Sequence, residues 1–269
     1  MHFGLIIIGD EILSGKRADK HLPKAIELLG ARGLQLAYAH YLGDDPQRIT
    51  ATLAEAFASG DVVFSFGGIG ATPDDHTRQC AAAALGLPLE LHHGARDLIW
   101  ERMRDIAQEN GQTFEPDRPD NVHRLDMGRF PQGARLIPNP YNKIAGFSCP
   151  GQGAGAVHFV PGFPVMAWPM MQWVLDTQYQ AHFTRDAHVE LSVIVMGAME
   201  ATLTPLMQSV QEAFAVKVFS LPSVDHPQYG RHIELGVKGA PEAASLAFEA
   251  LKNGLKPYSV VLGPELVRK

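Results

Sequence analysis

"VVFSFGGIGATPDDHTRQ", residues 62–79, decides how this chain is read. Its first five residues are a β-branched and aromatic run of strand length, and they lead directly into Gly67, Gly68 and Gly70. An alanine-rich segment at residues 74–85 then predicts a helix. Thr72 is placed to cap it, Pro73 to take its first position, and Asp74 and Asp75 to complement its dipole. A strand that ends in a glycine turn and resumes as a helix is one βα unit, and open parallel sheets place their ligands at that carboxyl edge. The glycines let backbone come close to a ligand, and the helix start offers N–H groups to a phosphate. The stretch lacks both the GK[ST] ending of a P-loop and the GxGxxG spacing of a dinucleotide fold.

The alternation extends to both sides. Residues 3–8, "FGLIII", read as a buried strand, and residues 20–32 carry Leu22, Ile26 and Leu29 at helical spacing. Residues 34–42 predict a second strand and residues 46–59 a helix opened by Pro46. Strands and helices alternating at this length imply a parallel sheet covered on both faces. "HHGARDLIWERMRDIAQEN" adds a helix with Leu98, Met103 and Ile106 expected in the core. Residues 114–133 read as an extended polar loop with room for one short helix, a feature uncommon unless it covers something. "ARLIPN", "AGFSCP" and "AVHFVPG" either finish the sheet or add an antiparallel ribbon. "FPVMAWPMMQWVLDTQYQ" reads as a helix with Pro169 in its first turn or kinking it.

A change of composition at residues 183–188, "FTRDAH", marks a linker. Beyond it strands are expected at 189–196, 216–221, 232–238 and 259–262, with helices at 203–214 and 242–253, a βαββαβ pattern. The expected fold class is therefore α/β, a doubly wound and mostly parallel sheet over residues 1–183, followed by a smaller α+β domain over 188–269.

The chain has 269 residues, 46% apolar and 19% charged, with a net charge of -6 and an isoelectric point near 6.0. That balance gives no general attraction to nucleic acid or to an anionic membrane, so an anionic ligand needs a local site. Cys80 and Cys149 show no CxxC or Cys/His spacing, which argues against a disulfide scaffold or zinc site and for a reducing cytoplasm. No apolar stretch has the length of a membrane span, and "MHFGLIIIGDE" does not read as a signal peptide. A cytoplasmic protein is expected.

Two further acidic groups follow predicted strands. Asp10 and Glu11 come after the first, ahead of a turn at Ser14 and Gly15 with Lys16 or Arg17 available to an anion. Asp44 and Asp45 come after the second, before Pro46. Taken singly these are loop charges or helix caps. Consecutive parallel strands bring their carboxyl ends together, however, so the acids converge on the glycine turn. Carboxylates beside a bound phosphate need a cation between them, the arrangement of Mg²⁺-assisted phosphoryl or nucleotidyl chemistry. Other groups read more plainly. Lys143 is either a cation for a phosphate or a solvated loop lysine, His76 a helix-surface residue, and His92 with His93 a loop. Phe163, Trp168 and Trp173 are expected in the core or a subunit contact, and Cys149 as a buried thiol.

"GDEILSG", "GDD", "GGIGATPDDHT", "LIPN...AGF" and "VPGFP" stand in the order and spacing of a known superfamily. Through them the chain resembles the MoaB/Mog-like molybdopterin-binding proteins, and most closely the amino-terminal domain of the CinA (competence/damage-inducible protein A) family, over nearly its whole length. The resemblance implies metal-dependent cleavage of a nucleotide pyrophosphate such as ADP-ribose. Its alternatives are adenylyl transfer to molybdopterin, or binding of a pterin or nucleotide without catalysis. On the first reading Asp75 and Asp44 are catalytic, and Gly67, Gly68, Gly70, Thr72, Ser14, Gly15 and Lys143 hold the phosphate or nucleotide. Asp10, Glu11, Asp74 and Asp75 hold Mg²⁺ or another divalent cation, and molybdopterin is a further candidate ligand. A small-molecule partner and a homo-oligomer are expected, with no nucleic acid or membrane. The second domain, which shows no grouped acids or histidines, is expected to be structural or to drive assembly.

Two segments depart from the family pattern. The usual NxxGTAPGF stretch is "NPYNKIAGF" here, with Asn142 and Lys143 in place of small and hydroxyl residues. The usual PGVPxEM is "PGFPVMA", with Val165 and Met166 where a polar residue and a glutamate are expected. Many members carry a further amidohydrolase domain acting on nicotinamide mononucleotide; the sequence ends at residue 269 without one, so no such activity is expected.

Overall fold

β1 (Phe3–Ile8) is buried at every position, as a strand covered on both faces must be. A computed structural model describes residues 1–184 and 189–268. Two compact units divide the chain, Met1–Phe183 and Thr184–Lys269. The linker expected at 183–188 falls largely on residues 185–188, outside the described residues.

In the first unit β1 is followed by α1 (Asp10–Leu13), α2 (His21–Gly30), β2 (Leu36–Leu42), α3 (Pro46–Ser59) and β3 (Val62–Phe66). Then come α4 (Thr77–Leu85), β4 (Leu89–Leu91), α5 (His93–Glu109), α6 (Pro119–Arg124) and a 3-10 turn at Leu125–Gly128. β5 (Arg129–Pro131), β6 (Arg135–Ile137), β7 (Gly146–Pro150), β8 (Ala156–Val160) and α7 (Pro164–Gln178) complete it. The main sheet has the order β2-β1-β3-β8-β7-β6. β2, β1, β3 and β8 run parallel, whereas β7 and β6 are antiparallel additions. The three brief apolar stretches thus do both things expected of them. β8 finishes the parallel part, and the short turn between β7 and β8 permits only antiparallel pairing.

Because successive strand residues face opposite ways, β1 and β3 supply two cores. Leu5, Ile7, Phe64 and Phe66 pack with residues of α2 and α7 on one face. Ile6, Ile8 and Val63 pack with α3 and α4 on the other. A histidine lies inside as well. His158, fully buried, bonds through Nδ1 to the Ser148 hydroxyl and through Nε2 to the Tyr179 hydroxyl, each at 2.7 Å. Burial lowers its pKa to about 3, so it is a neutral structural link.

The structure corrects several expectations. α4 begins at Thr77, which leaves Thr72, Pro73, Asp74 and Asp75 in the turn before it. In α5 the buried positions are Ala95, Ile99 and Met103, a different phase from the expected Leu98, Met103 and Ile106. His92 is no loop residue but the N-cap of α5, its Nδ1 accepting the Ala95 N–H at 3.4 Å. Of the aromatic group expected in the core or a subunit contact, Trp168 packs in part against the core, while Phe163 and Trp173 are exposed on this chain. Cys149 is buried, which pushes its thiol up to about 12. No helix among the described residues is long and apolar enough to cross a membrane.

The second unit runs β9 (Val189–Met196), α8 (Glu200–Ala213), β10 (Val216–His226), β11 (Gly230–Gly239), α9 (Pro241–Leu255) and β12 (Val261–Arg268). Its sheet has the order β10-β11-β9-β12 with antiparallel neighbours, and both helices contribute to one core. This is the split βαββαβ arrangement. Histidines do group here, against expectation: the β10–β11 hairpin brings the rings of His226 and His232 to 5.2 Å, with Tyr229 stacked on His226 at 4.7 Å.

Candidate functional site

The carboxyl end of β3 delivers the chain into a turn packed hard against β1. Gly67 and Gly68 adopt φ of 97° and 68°, and a Cβ would run into the Ile8 carbonyl oxygen at the first and the Thr77 hydroxyl at the second. Only glycine meets both demands. The turn is tied at each end. Gly67 N–H donates to the Val160 carbonyl at 3.1 Å, and Thr77 donates its N–H to Gly68 and its hydroxyl to Gly67 at 3.0 and 3.1 Å. Between these anchors the N–H groups of Gly68, Ile69, Gly70 and Ala71 donate to no acceptor among the described residues. Successive backbone donors of this kind form a concavity for an anion.

Thr72 does not cap α4. Its N–H donates to Asp75 Oδ2 at 2.8 Å and its hydroxyl to the same atom, so the two residues close a small turn. Behind it Arg78, buried in the first turn of α4, donates to the Gly70 carbonyl at 2.6 Å and to the Asp126 carbonyl. Burial lowers the Arg78 pKa, while the charges of Asp75 and Asp126 act in the opposite direction. Asp75 thus fixes the turn and balances a buried cation.

Asp10 and Asp44 clasp one another on the adjacent strand ends. The Asp10 N–H donates to Asp44 Oδ2 at 2.9 Å, and the Asp44 N–H to Asp10 Oδ1 at 3.2 Å. Burial pushes the Asp44 carboxyl above its ordinary range, and repulsion from Asp10, Glu11 and Asp74 adds to it against the Asp10 hydrogen bond. Asp45 instead caps α3 through Arg48 N–H at 2.9 Å.

These parts surround a cleft of about 500 Å³, a size suited to a small ligand. Gly67, Gly68, Gly70, Thr72 and Asp75 line it, together with Glu11, Asp44 and Asp74. Ile8, Ile69, Met127, Ile144 and Met166 make it partly apolar. Arg17 stands at the wall with its guanidinium 5.8 Å from the Phe163 ring centre. A shallower depression beside it is lined by Asp10, Glu11, Ser14, Lys16, Asp44 and Asp74. Ser14 therefore meets the acids rather than the glycine turn, while Gly15 lines neither space. Lys143 lines neither as well. It is bound to Glu101 at 2.7 Å and Asp105 at 2.6 Å on α5.

Among the described residues no three His, Cys, Asp or Glu side chains are grouped to hold a metal ion by themselves. Mg²⁺ does not require that, since it keeps several waters and binds through one or two carboxylates plus substrate phosphates. Repulsion from Asp10, Glu11 and Asp74 adds to the burial that raises Asp44, and a cation would relieve that repulsion, so one or two of the acids on the depression fit it. Asp75, turned toward Thr72, is apart from them.

Arg78, which lies behind the glycine turn and not on the cleft, escaped the sequence reading, because with the helix expected from residue 74 it did not fall in the first turn. The loop before β7 carries further residues that were not singled out as ligand contacts. Asn139 is buried and donates to Asn142 Oδ1 at 2.8 Å and to the Ile144 carbonyl at 3.0 Å. Asn142 Nδ2 in turn donates to the Met166 sulfur at 3.3 Å. The two departures from the family pattern therefore touch one another inside the cleft.

Residues 4–181 match the family described as probable molybdopterin binding domain. A CinA-like protein of Anaeromyxobacter sp. (strain K) is 34% identical over 176 residues, which are 65% of this chain and 40% of that protein. Another, from Citrifermentans bemidjiense, is 29% identical over 224 residues, 81% of this chain and 51% of that protein. The chain thus spans two-fifths to about half the length of these relatives. The crystal structure of the protein CinA, of unknown function, from Thermoplasma acidophilum superposes with a TM-score of 0.55 at 25% identity, covering 65% of this chain and 98% of that one.

Proposed function

This chain belongs to the molybdopterin-binding domain family, as a CinA-like domain of MoaB/Mog type, and from that premise we propose that its cleft hydrolyses a nucleotide pyrophosphate of the ADP-ribose kind. The observation that supports this best is that two kinds of group line one cleft at the sheet edge. Backbone donors from Gly68 to Ala71 share it with the carboxylates of Glu11, Asp44 and Asp74, which repel one another.

The glycine turn holds one phosphate of the substrate, with Arg17 at the wall adding positive charge. Asp44, whose proton affinity is raised, takes the proton of the attacking water. The water oxygen bonds to phosphorus as the bridging P–O bond breaks, which yields AMP and ribose 5-phosphate from ADP-ribose. Asp75 holds the turn in place through Thr72. One or two of Asp10, Glu11 and Asp74 would hold a divalent cation, which when bound would supply Lewis-acid charge.

Incubation of the purified protein in MgCl₂ with ADP-ribose, FAD or NAD, followed by chromatography, is expected to release AMP from ADP-ribose. Asp44→Asn should lower that rate about 10²-fold or more. If calorimetry detects ligand but no nucleotide is cleaved, the hydrolase reading fails and the cleft is a binding site. The family description names molybdopterin, and a second reading makes that pterin the acceptor of an adenylyl group from ATP. An adenylylated pterin from ATP, with ADP-ribose left intact, would establish that one.

A further inference from the structure

The loop before β7 and the first turn of α7 contribute Asn139, Asn142, Ile144, Ala145 and Met166 to the cleft, and none of these is charged. Asn142 and Met166 stand where the family pattern has a small residue and a glutamate, both are half-buried, and they touch each other. The one cation of the loop is turned away, since Lys143 is engaged by Glu101 and Asp105 on α5.

Asn142 is held in a single orientation. Its Oδ1 accepts from Asn139 Nδ2 at 2.8 Å and from the Ile144 N–H at 3.1 Å. The Ile144 group can only donate, so the amide oxygen has to face it and the amide nitrogen has to face Met166. One Nδ2 hydrogen reaches the Met166 sulfur, a weak acceptor, and the other has no acceptor among the described residues. Asn139 has no such surplus, because its Nδ2 also donates to the Ile144 carbonyl at 3.0 Å and its Oδ1 accepts the Tyr141 N–H at 3.0 Å. The backbone beside Asn142 is fixed as well. Lys143 has φ of 66°, the one positive value among the described non-glycine residues, and its N–H closes on the Asn139 carbonyl at 3.0 Å. Such a conformation persists only where the surroundings impose it, and ligand sites are where it gathers.

We propose that Asn142 and Met166 are a specificity pair. Asn142 Nδ2 donates to a neutral oxygen on the part of the ligand beyond the phosphate, and the Met166 thioether packs on the apolar flank of that group. A glutamate at 166 would hold a cation there; the thioether offers it no counter-charge, so a cationic group loses water without compensation. On the proposed function the acids of the cleft are taken by the divalent cation. The cleft therefore selects a ligand that ends in a neutral sugar over one that ends in a pyridinium ion. This inference rests on the functional reading above for the phosphate at the glycine turn and for the cation on the acids.

Calorimetry on the whole chain in MgCl₂ tests it with the α,β-methylene analogues of ADP-ribose and NAD, in which carbon replaces the bridging oxygen and cleavage is blocked. Wild type is expected to bind the ADP-ribose analogue the more tightly. Met166→Glu should shift the ratio of the two affinities about tenfold toward the NAD analogue, by pairing its pyridinium with a carboxylate. Met166→Gln, of the same length without the charge, should leave that ratio within about threefold of wild type. Asn142→Asp keeps the oxygen that meets Asn139 and Ile144 but removes the donor, and should weaken the ADP-ribose analogue about tenfold. Inorganic pyrophosphate, which has no group beyond its phosphates, should change less than about threefold in all three variants, and circular dichroism reports whether each is folded. The proposal is overturned if wild type binds neither analogue, if it binds both equally, or if Met166→Glu leaves their ratio as it was. It is overturned too if Asn142→Asp binds the ADP-ribose analogue as wild type does. If selectivity follows residues 142 and 166 while ADP-ribose itself is bound and left uncleaved, the specificity pair stands and the hydrolase reading falls.

Discussion

The turn after β1 and the turn after β3 leave adjacent parallel strands at one edge of the sheet, yet the first presents carboxylates and the second presents backbone donors. The difference comes from packing. The β3 turn presses on Ile8 and Thr77 so closely that Gly67 and Gly68 leave no room for side chains, and its chemistry has to come from the main chain. The β1 turn has space, so Asp10 and Glu11 carry its chemistry and meet Asp44 from the next strand. What one surface lacks the other supplies, and on the proposed function a phosphate with its cation would use both.

The most severe way to break this comparison is to force a side chain into the crowded turn. Gly67→Val is expected to destabilise the first unit by about 2–5 kcal/mol, combining a disfavoured φ with overpacking. Urea unfolding followed by tryptophan fluorescence measures it, since Trp100, Trp168 and Trp173 all belong to that unit. Near-native stability would mean that the turn is not held as described. Arg78→Met should cost about 2–4 kcal/mol by leaving the Gly70 carbonyl and Asp75 without their buried cation, and pyrophosphate binding should weaken with it.

The acid side should respond in the opposite sense. The Asp44 carboxyl has a raised pKa in the fold, so its contribution is neutral when protonated and becomes unfavourable as pH rises through the unfolded value and then the raised folded one. Asp44→Asn keeps an oxygen for the Asp10 N–H and removes the penalty. It should stabilise the protein at pH 7 by less than about 1 kcal/mol, because solvent screens a half-exposed group. Scans from pH 4 to 7 should show wild type and variant converging toward acid; a variant less stable at pH 7 would contradict the repulsion. The same substitution is expected to impair hydrolysis, a trade of activity for stability. The smallest effect belongs to Lys143→Met, which should change pyrophosphate affinity less than about twofold, because the ammonium is engaged by Glu101 and Asp105.

Legibility varied along the chain for physical reasons. Phe3–Ile8, Pro46–Ser59 and Val62–Phe66 were readable to the residue, because continuous apolar runs and punctuation by Pro46 and Gly60 are local signals. The start of α4 was not. Asp75 accepts from Thr72, and this side-chain competition with the backbone delayed the helix to Thr77. In α5 the polar residues blur the apolar spacing, so the phase read through Leu98 and Ile106 was not the one the core chose, through Ala95 and Ile99.

By itself the sequence determined the alternation of strands and helices, the glycine turn and the placing of acids at strand ends, since each depends on residues only a few positions apart. The tertiary structure decided which of those charges work together. Lys143 meets Glu101 and Asp105 across 42 and 38 residues, Asp44 meets Asp10 across 34, and His21 meets Gly162 across 141. Such pairings follow from the strand order β2-β1-β3-β8 and the helices packed upon it, and no local pattern encodes them.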